Sequence, residues 1–92
     1  MTSMDRRKYR QISTLECKIV DDGFVLYDEN RGRVIYLNLT AAAIFEICGS
    51  PMDARAIGDI LRTNGAPSID DSKVLQCLRQ LVELHLVEEM LP

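Results

Sequence analysis

The chain has 92 residues, and its 11 lysines and arginines against 14 aspartates and glutamates give a formal net charge of −3. This length, with a hydrophobic fraction of 47%, is typical of one globular domain with a modest core and excludes a largely disordered chain. The acidic balance argues against a general nucleic-acid binder. No apolar run approaches the length of a bilayer span.

The N-terminal segment is polar and basic. Its cationic side chains lie close together at Arg6, Arg7, Lys8 and Arg10. No apolar segment follows them, so they do not form a secretory signal, and we expect a cytoplasmic protein. We predict a flexible basic arm over residues 1–12, which either stays solvated or meets an acidic partner, and a single domain over residues 13–92.

Three strands are predicted after this arm. Ser13 to Val20 alternates apolar and polar residues, as a half-buried strand does. Asp21-Asp22-Gly23 then indicates a two-residue hairpin turn into a second strand, Gly23 to Tyr27. The polar turn Asp28 to Gly32 leads into a third strand, Arg33 to Leu37, which is β-branched and aromatic.

The third strand is the last of this antiparallel meander, so it leaves backbone N–H and C=O groups unpaired along one side. Proline and charged side chains usually protect such an edge from pairing with another chain. Val34 to Leu37 contains neither. The sequence therefore predicts an open edge that another chain can pair with.

Three helices follow the strands. The first is predicted over Thr40 to Cys48, with the Thr40 hydroxyl as N-cap and Gly49 ending it in a left-handed conformation. The second is predicted over Ala54 to Thr63, with Asp53 as N-cap. The third is predicted over about Asp70 to Leu84, with acidic residues at its positive end.

The third helix has an unusually wide apolar stripe. Its core face carries Val74, Leu75, Leu78, Leu81 and Val82. Cys77 and Leu84 widen the stripe to one side, and Lys73 and Gln80 lie on the same flank at helical spacing. Such a stripe is either surplus hydrophobic surface or the wall of a groove.

The order of the elements predicts an α+β fold. A three-stranded antiparallel meander precedes three helices, which is the layout of a winged helix-turn-helix arrangement with its strands at the front.

Motifs for catalysis are missing from the sequence, which contains no Gly-rich phosphate loop, no GxSxG and no HExxH. Cys17, Cys48 and Cys77 are widely spaced, and His85 is the only histidine. We therefore predict free thiols, no metal site, no cofactor and no enzymatic activity.

The segment Leu37 to Cys48, LNLTAAAIFEIC, resembles the signature of PqqD-like proteins, the RiPP recognition elements that bind precursor-peptide leaders. The resemblance continues in the second helix, at Ile57 and Leu61. It extends through VLQCLRQL, which starts at Val74, and it covers about Val20 to Glu88. The chain departs from the family at three places, since it has Gly49-Ser50, Lys73 and His85 where relatives often have Asp-Gly, Asp and Gly.

The resemblance implies a peptide chaperone rather than an enzyme. The leader of a ribosomally made precursor peptide would add a strand to the third strand, against the third helix, by β-augmentation. The protein would present that peptide to a modification enzyme, often a radical SAM enzyme in this family. The implied peptide-binding residues are Arg33, Val34, Ile35, Tyr36, Leu37 and Asn38 on the strand and Lys73, Cys77, Gln80 and Leu84 on the helix. Among them, Arg33 and Lys73 would attract acidic side chains of the leader.

Two other functions stay open from the sequence. The helix order permits a winged-helix DNA-binding protein, although the third helix has only Lys73 and Arg79 as cations against three acidic residues. The open edge also permits a homodimer, in which the third strand pairs with its own copy.

Overall fold

A computed structural model describes residues 7–12 and 15–90. These residues form β1 (Lys8–Gln11), β2 (Glu16–Val20), β3 (Gly23–Asp28), β4 (Arg33–Asn38), α1 (Leu39–Ile47), β5 (Met52–Asp53), α2 (Ala54–Thr63), α3 (Asp71–Glu83) and β6 (Val87–Met90). The strands assemble in two three-stranded antiparallel sheets, ordered β2-β3-β4 and β5-β1-β6. The predicted α+β class is confirmed, with a meander followed by three helices in an arrangement compatible with a small winged-helix-like fold.

The meander β2-β3-β4 follows from its turn residues. Val20 pairs with Gly23 across the first turn, and Asp28 pairs with Arg33 across the second. Gly32 has a φ of 61°, a left-handed conformation that glycine adopts at no steric cost. A Cβ atom on Gly23 would overlap the backbone carbonyl of Leu37. The close approach of β4 to the first turn therefore requires glycine at that position.

The first helix begins earlier than predicted. Asn38 is its N-cap, and the side-chain Oδ1 of Asn38 accepts a hydrogen bond from the backbone N–H of Ala41 at 2.9 Å. Thr40 therefore lies inside the first turn, and its predicted capping role is wrong. Gly49 does not have the predicted left-handed conformation, because the helix ends through Cys48 as its C-cap with an ordinary φ of −74°.

The predictions for the second and third helices hold more closely. Asp53 caps α2 by accepting from the N–H of Ala56 at 2.8 Å, and α2 has the predicted bounds. Asp70 caps α3 by accepting from the N–H of Lys73 at 2.8 Å. Each carboxylate satisfies an amide that the helix itself leaves unpaired, so a local sequence signal was sufficient.

At Lys8–Gln11, the second sheet contradicts the prediction of a flexible N-terminal arm. Lys8–Gln11 is the central strand of that sheet and pairs with β5 on one side and β6 on the other. Tyr9 is only 3% exposed and belongs to the core. The segment has a polar sequence because its alternate residues face solvent. Its partner strand β6 is remote in the chain, so the pairing could not be predicted from local sequence. Residues 1–6 of the predicted arm, and Ser13 and Thr14 of the first predicted strand, lie outside the described residues.

The core brings both sheets and all three helices together. Its largest fully buried side chains are Leu26, Ile44, Cys48, Ile57, Val74, Leu78, Leu81, Leu86 and Val87. The predicted core face of α3 is buried at Val74, Leu78 and Leu81 and half-buried at Leu75 and Val82. Across residues 7–12 and 15–90, none of the helices combines the length and the hydropathy needed to cross a membrane.

Candidate functional site

Strand β4 is an edge of its sheet. Within the described part of the chain it pairs with β3 and with no other strand. In an antiparallel edge strand, every second residue directs its N–H and C=O groups away from the neighbouring strand. The segment Arg33–Asn38 therefore retains backbone groups that can pair with a further strand.

The side chains of β4 alternate between the core and solvent. Leu37 is 4% exposed and packs in the core, whereas Val34 and Tyr36 are 64% and 52% exposed on the opposite face. Arg33 and Ile35 are half-buried on the same face as Leu37. The Leu37 side chain thus packs in the core and exposes only a small part of its surface. A binding partner would contact mainly the backbone of Leu37.

Helix α3 lies beside the free edge of β4, and a cleft runs between them. Two adjoining cavities, of about 230 and 190 Å³, fill this β4–α3 cleft. The two cavities adjoin, since four residues line both of them: Asn38, Ala41, Cys77 and Gln80.

The two ends of the cleft differ in polarity. The larger cavity is completed by polar and charged side chains, Thr40, Lys73 and Gln76. The smaller cavity is completed by Tyr36, Leu37, Leu81 and Leu84. The cleft therefore has a polar end near the start of α3 and an apolar end near the finish of α3.

The structure brings the predicted helix residues to this cleft. Lys73, Cys77, Gln80 and Leu84 all line it, together with Tyr36, Leu37 and Asn38 of β4. Val34 and Ile35 lie on the same strand but do not line the cavities. The sequence reasoning missed Thr40, Ala41, Gln76 and Leu81, although the abrupt change from strand to helix could have indicated that the first turn of α1 abuts the edge.

Arg33 has a different position from the one expected. Its Nε donates to Oδ2 of Asp28 at 3.1 Å, and its Nη2 donates to the backbone carbonyl of Leu84. Asp28 is 5% exposed and is the one buried charged residue of the described core. The Arg33 guanidinium thus joins β4 to the end of α3 instead of facing the cleft as a free cation, so the expectation that it attracts acidic side chains is not supported.

Lys73 is the one charged side chain among the described residues that line the cleft. It lies close to Cys77, where burial raises the pKa of the thiol and the Lys73 ammonium offsets part of that rise. The Cys77 thiol is therefore neutral near pH 7. The cleft combines one positive charge, amide and hydroxyl groups, and an apolar pocket.

The other two cysteines do not line the cleft. Cys17 is exposed on β2, and Cys48 is buried in the core, where burial raises the pKa of its thiol to about 12. All three thiols are free. In residues 7–12 and 15–90, His, Cys, Asp and Glu side chains do not form a group of three that could hold a metal ion.

The fold of this chain is shared with a protein of known structure. No family model matches the chain, and none of the curated proteins matches it. Among solved structures, it is similar to TbiB1, determined in complex with the TbiA(beta) leader peptide, with a TM-score of 0.70 over 90% of this chain and 99% of the TbiB1 chain. The two sequences are 20% identical, so the likeness shows a common fold.

Proposed function

We propose that this protein binds the leader segment of a ribosomally made precursor peptide as an additional strand on β4, within the β4–α3 cleft. The observation that carries the proposal is the unpaired edge of β4 directly beside a cleft whose other wall is α3. The structure of TbiB1 with a leader peptide supports a leader as the ligand. The resemblance of Leu37 to Cys48 to the PqqD-like signature supports it independently of the fold.

The dimensions of the cleft suit an extended peptide. From Arg33 to Asn38, β4 spans about 17 Å at about 3.3 Å per residue. From Lys73 to Leu84, α3 rises about 16 Å at about 1.5 Å per residue. Alternate side chains of an added strand recur about every 6.6 Å, close to one turn of the helix, so each cleft-facing side chain meets a successive turn of α3.

Affinity and selectivity come from different parts of the cleft. Hydrogen bonds from the β4 backbone provide affinity that tolerates many peptide sequences. The Lys73 end favours an acidic side chain, and the pocket at Leu81 and Leu84 favours an apolar one. Since β4 runs from the Leu84 end toward the Lys73 end, a peptide bound antiparallel to β4 carries its acidic residue N-terminal to its apolar residue.

The role of the protein is to hold the peptide, and the chemistry belongs to a separate modification enzyme. The resemblance makes a radical SAM enzyme the first candidate for that partner. By binding both the peptide and the enzyme, this protein would raise the concentration of the peptide near the active site of the enzyme.

The experiment that tests the proposal is an NMR titration of the ¹⁵N-labelled protein with a candidate leader peptide. We expect amide shifts along Arg33–Asn38 and at Lys73, Cys77 and Gln80. The amides of β2 are the internal control, because β2 is the other edge of the same sheet. Shifts confined to loops, or centred on β2, would overturn the proposal.

A further inference from the structure

Strand β2 is the second edge of the meander, and it is open in a different way from β4. It pairs with β3 and, among the described strands, with no other. The cavity beside it is lined by Glu16, Cys17, Lys18 and Tyr27, all from β2 and β3. Ile19 is 77% exposed, the largest exposed fraction among the large hydrophobic side chains of the described residues.

We infer that a second copy of this chain pairs with β2, antiparallel and about a two-fold axis at Cys17. In such a pair, the Cys17 residues of the two copies lie opposite each other. The residue before Cys17 in one copy then lies opposite the residue after Cys17 in the other, so that Glu16 of each copy lies opposite Lys18 of the other. Two cross-strand pairs of opposite charge form, which is a favourable arrangement in antiparallel sheets.

The charge pattern of β2 selects this register over its neighbours. With the axis at Lys18, two ammonium groups lie opposite each other, and with the axis at Glu16, two carboxylates do. With the axis at Ile19, Glu16 lies opposite Asp22 of the second copy. Like charges directly opposite each other are unfavourable. An axis at Cys17 sets both charged residues of the strand opposite a residue of the other sign.

The same register covers the exposed apolar side chain. Residues 15, 17 and 19 share one face of β2, since side chains alternate along a strand. An axis at Cys17 sets Ile19 of each copy opposite Leu15 of the other. Leu15 is half-buried against the core, so Ile19 would leave water for a surface that is already partly apolar.

This pairing is independent of the proposed function and compatible with it. The dimer has one six-stranded sheet, ordered β4-β3-β2-β2-β3-β4, and both β4–α3 clefts remain open at its two ends. Pairing of β4 with β4 would instead fill each cleft with a strand of the other copy. Addition of a peptide that binds the cleft therefore distinguishes the two kinds of dimer, because the peptide would compete with a β4 dimer and not with a β2 dimer.

The pairing is tested by oxidative cross-linking of the full chain with diamide, followed by non-reducing electrophoresis. Opposite residues of an antiparallel pair have Cα atoms about 4.5–5.5 Å apart, within the reach of a disulfide. Partial desolvation and the Glu46 carboxylate raise the pKa of the Cys17 thiol, so the oxidation is run at alkaline pH. We expect a covalent dimer that is absent in Cys17→Ser.

Charge reversals distinguish a specific dimer from random collisions of exposed thiols. E16K and K18E each set like charges opposite each other, and we expect each to lower the yield of covalent dimer at least fivefold. The double variant E16K/K18E exchanges the two charges, so we expect it to restore the yield. Sedimentation velocity of the reduced variants should follow the same order at raised protein concentration.

Two outcomes would overturn the inference. The first is equal cross-linking in all charge variants, together with a monomer at every concentration of the reduced protein. The second is loss of the dimer on addition of a leader peptide that binds β4, which would assign the contact to β4 instead.

Discussion

Arg33 and Leu84 join the two walls of the β4–α3 cleft. The Nη2 of Arg33, at the start of β4, donates to the backbone carbonyl of Leu84, the C-cap of α3. The Nε of the same guanidinium donates to Asp28 at 3.1 Å. The Arg33 side chain therefore pairs with a buried carboxylate and also binds a carbonyl that the helix leaves free. By joining β4 to α3, it sets the spacing of the cleft at its apolar end.

Arg33→Ala should destabilise the fold and loosen the cleft. Among the described residues, the buried Asp28 carboxylate would keep one ion-pair partner, Arg31, whose Nε lies 3.6 Å away. We expect a loss of about 2–3 kcal/mol in the free energy of unfolding, measured by urea denaturation. Arg31→Ala is the matched control and should cost less than about 1 kcal/mol, because Arg31 is half-exposed. Equal losses would show that Arg33 has no special role.

Reversal of the charge at Lys73 should change which peptides bind. We expect Lys73→Glu to weaken binding of a leader with an acidic residue at that end of the cleft about tenfold, an effect of about 1.4 kcal/mol. A peptide in which lysine replaces the acidic residue should recover the affinity. Fluorescence anisotropy at low and high salt measures both, since screening should reduce the difference.

The control for this exchange lies on the same helix. Arg79 is exposed on α3 and does not line the cleft. Arg79→Glu should therefore leave the affinity for both peptides nearly unchanged. Parallel losses in the two variants would mean that net charge, and not a contact at Lys73, controls binding.

The three cysteines differ in exposure, so their alkylation rates should differ. Exposed Cys17 should react fastest with iodoacetamide, half-buried Cys77 more slowly and buried Cys48 hardly at all. Each thiol has a raised pKa, so the thiolate is scarce at neutral pH and each rate should rise as the pH increases above about 8. Peptide mass mapping of dilute protein gives the three rates together.

A bound leader should protect Cys77 and leave Cys17 reactive. Cys17 serves as the control in the same sample, because it lies on the opposite edge of the sheet. Protection of Cys17 in place of Cys77 would indicate that the peptide binds β2.

Tyr9→Ala should show that β1 belongs to the folded domain. Tyr9 is 3% exposed in the core, so its truncation leaves a cavity and removes a large apolar surface. We expect a loss of about 3–5 kcal/mol in the free energy of unfolding. Lys8→Ala, at an exposed position of the same strand, is the control and should have little effect. Similar stability of both variants would restore the idea of a detachable arm.

His85→Gly should stabilise the protein. His85 has a φ of 59°, the one positive φ among the described residues other than glycine. It follows α3 in a Schellman arrangement, in which the N–H of Leu86 bonds to the carbonyl of Leu81 at 2.9 Å. Glycine adopts this conformation without strain, so we expect a gain of about 1 kcal/mol by thermal or urea unfolding. His85→Ala should show no such gain.

The conformation of His85 bears on one of the three departures from the PqqD-like pattern, and it explains why glycine suits this position. PqqD-like proteins, which the sequence resembles, often have glycine at this position, and the structure places His85 in the left-handed region that favours glycine. Glycine in the pattern therefore indicates a positive φ at this position, which a histidine in the sequence of this chain does not reveal. His85 thus lies in the turn that ends α3.

Local signals were enough for most of the elements. The two meander turns, the Asp53 and Asp70 caps and the periodicity of α2 and α3 each depend on residues a few positions apart. Such signals act in the same way before and after the chain folds, so the sequence alone determined the meander and the order of the helices. The flank of α3 that lines the cleft was decided by the tertiary structure, which places Lys73, Cys77, Gln80 and Leu84 there.

Only the tertiary structure decided which segments pair across the chain. Arg10 and Glu88 are 78 positions apart, yet they lie on adjacent strands, and this pairing turns a basic segment into the centre of a sheet. The partners of Arg33 were hidden for the same reason, because Leu84 is 51 positions away. Strand pairing between distant segments and the contacts of one long side chain are set by packing of the whole core, for which no local pattern exists.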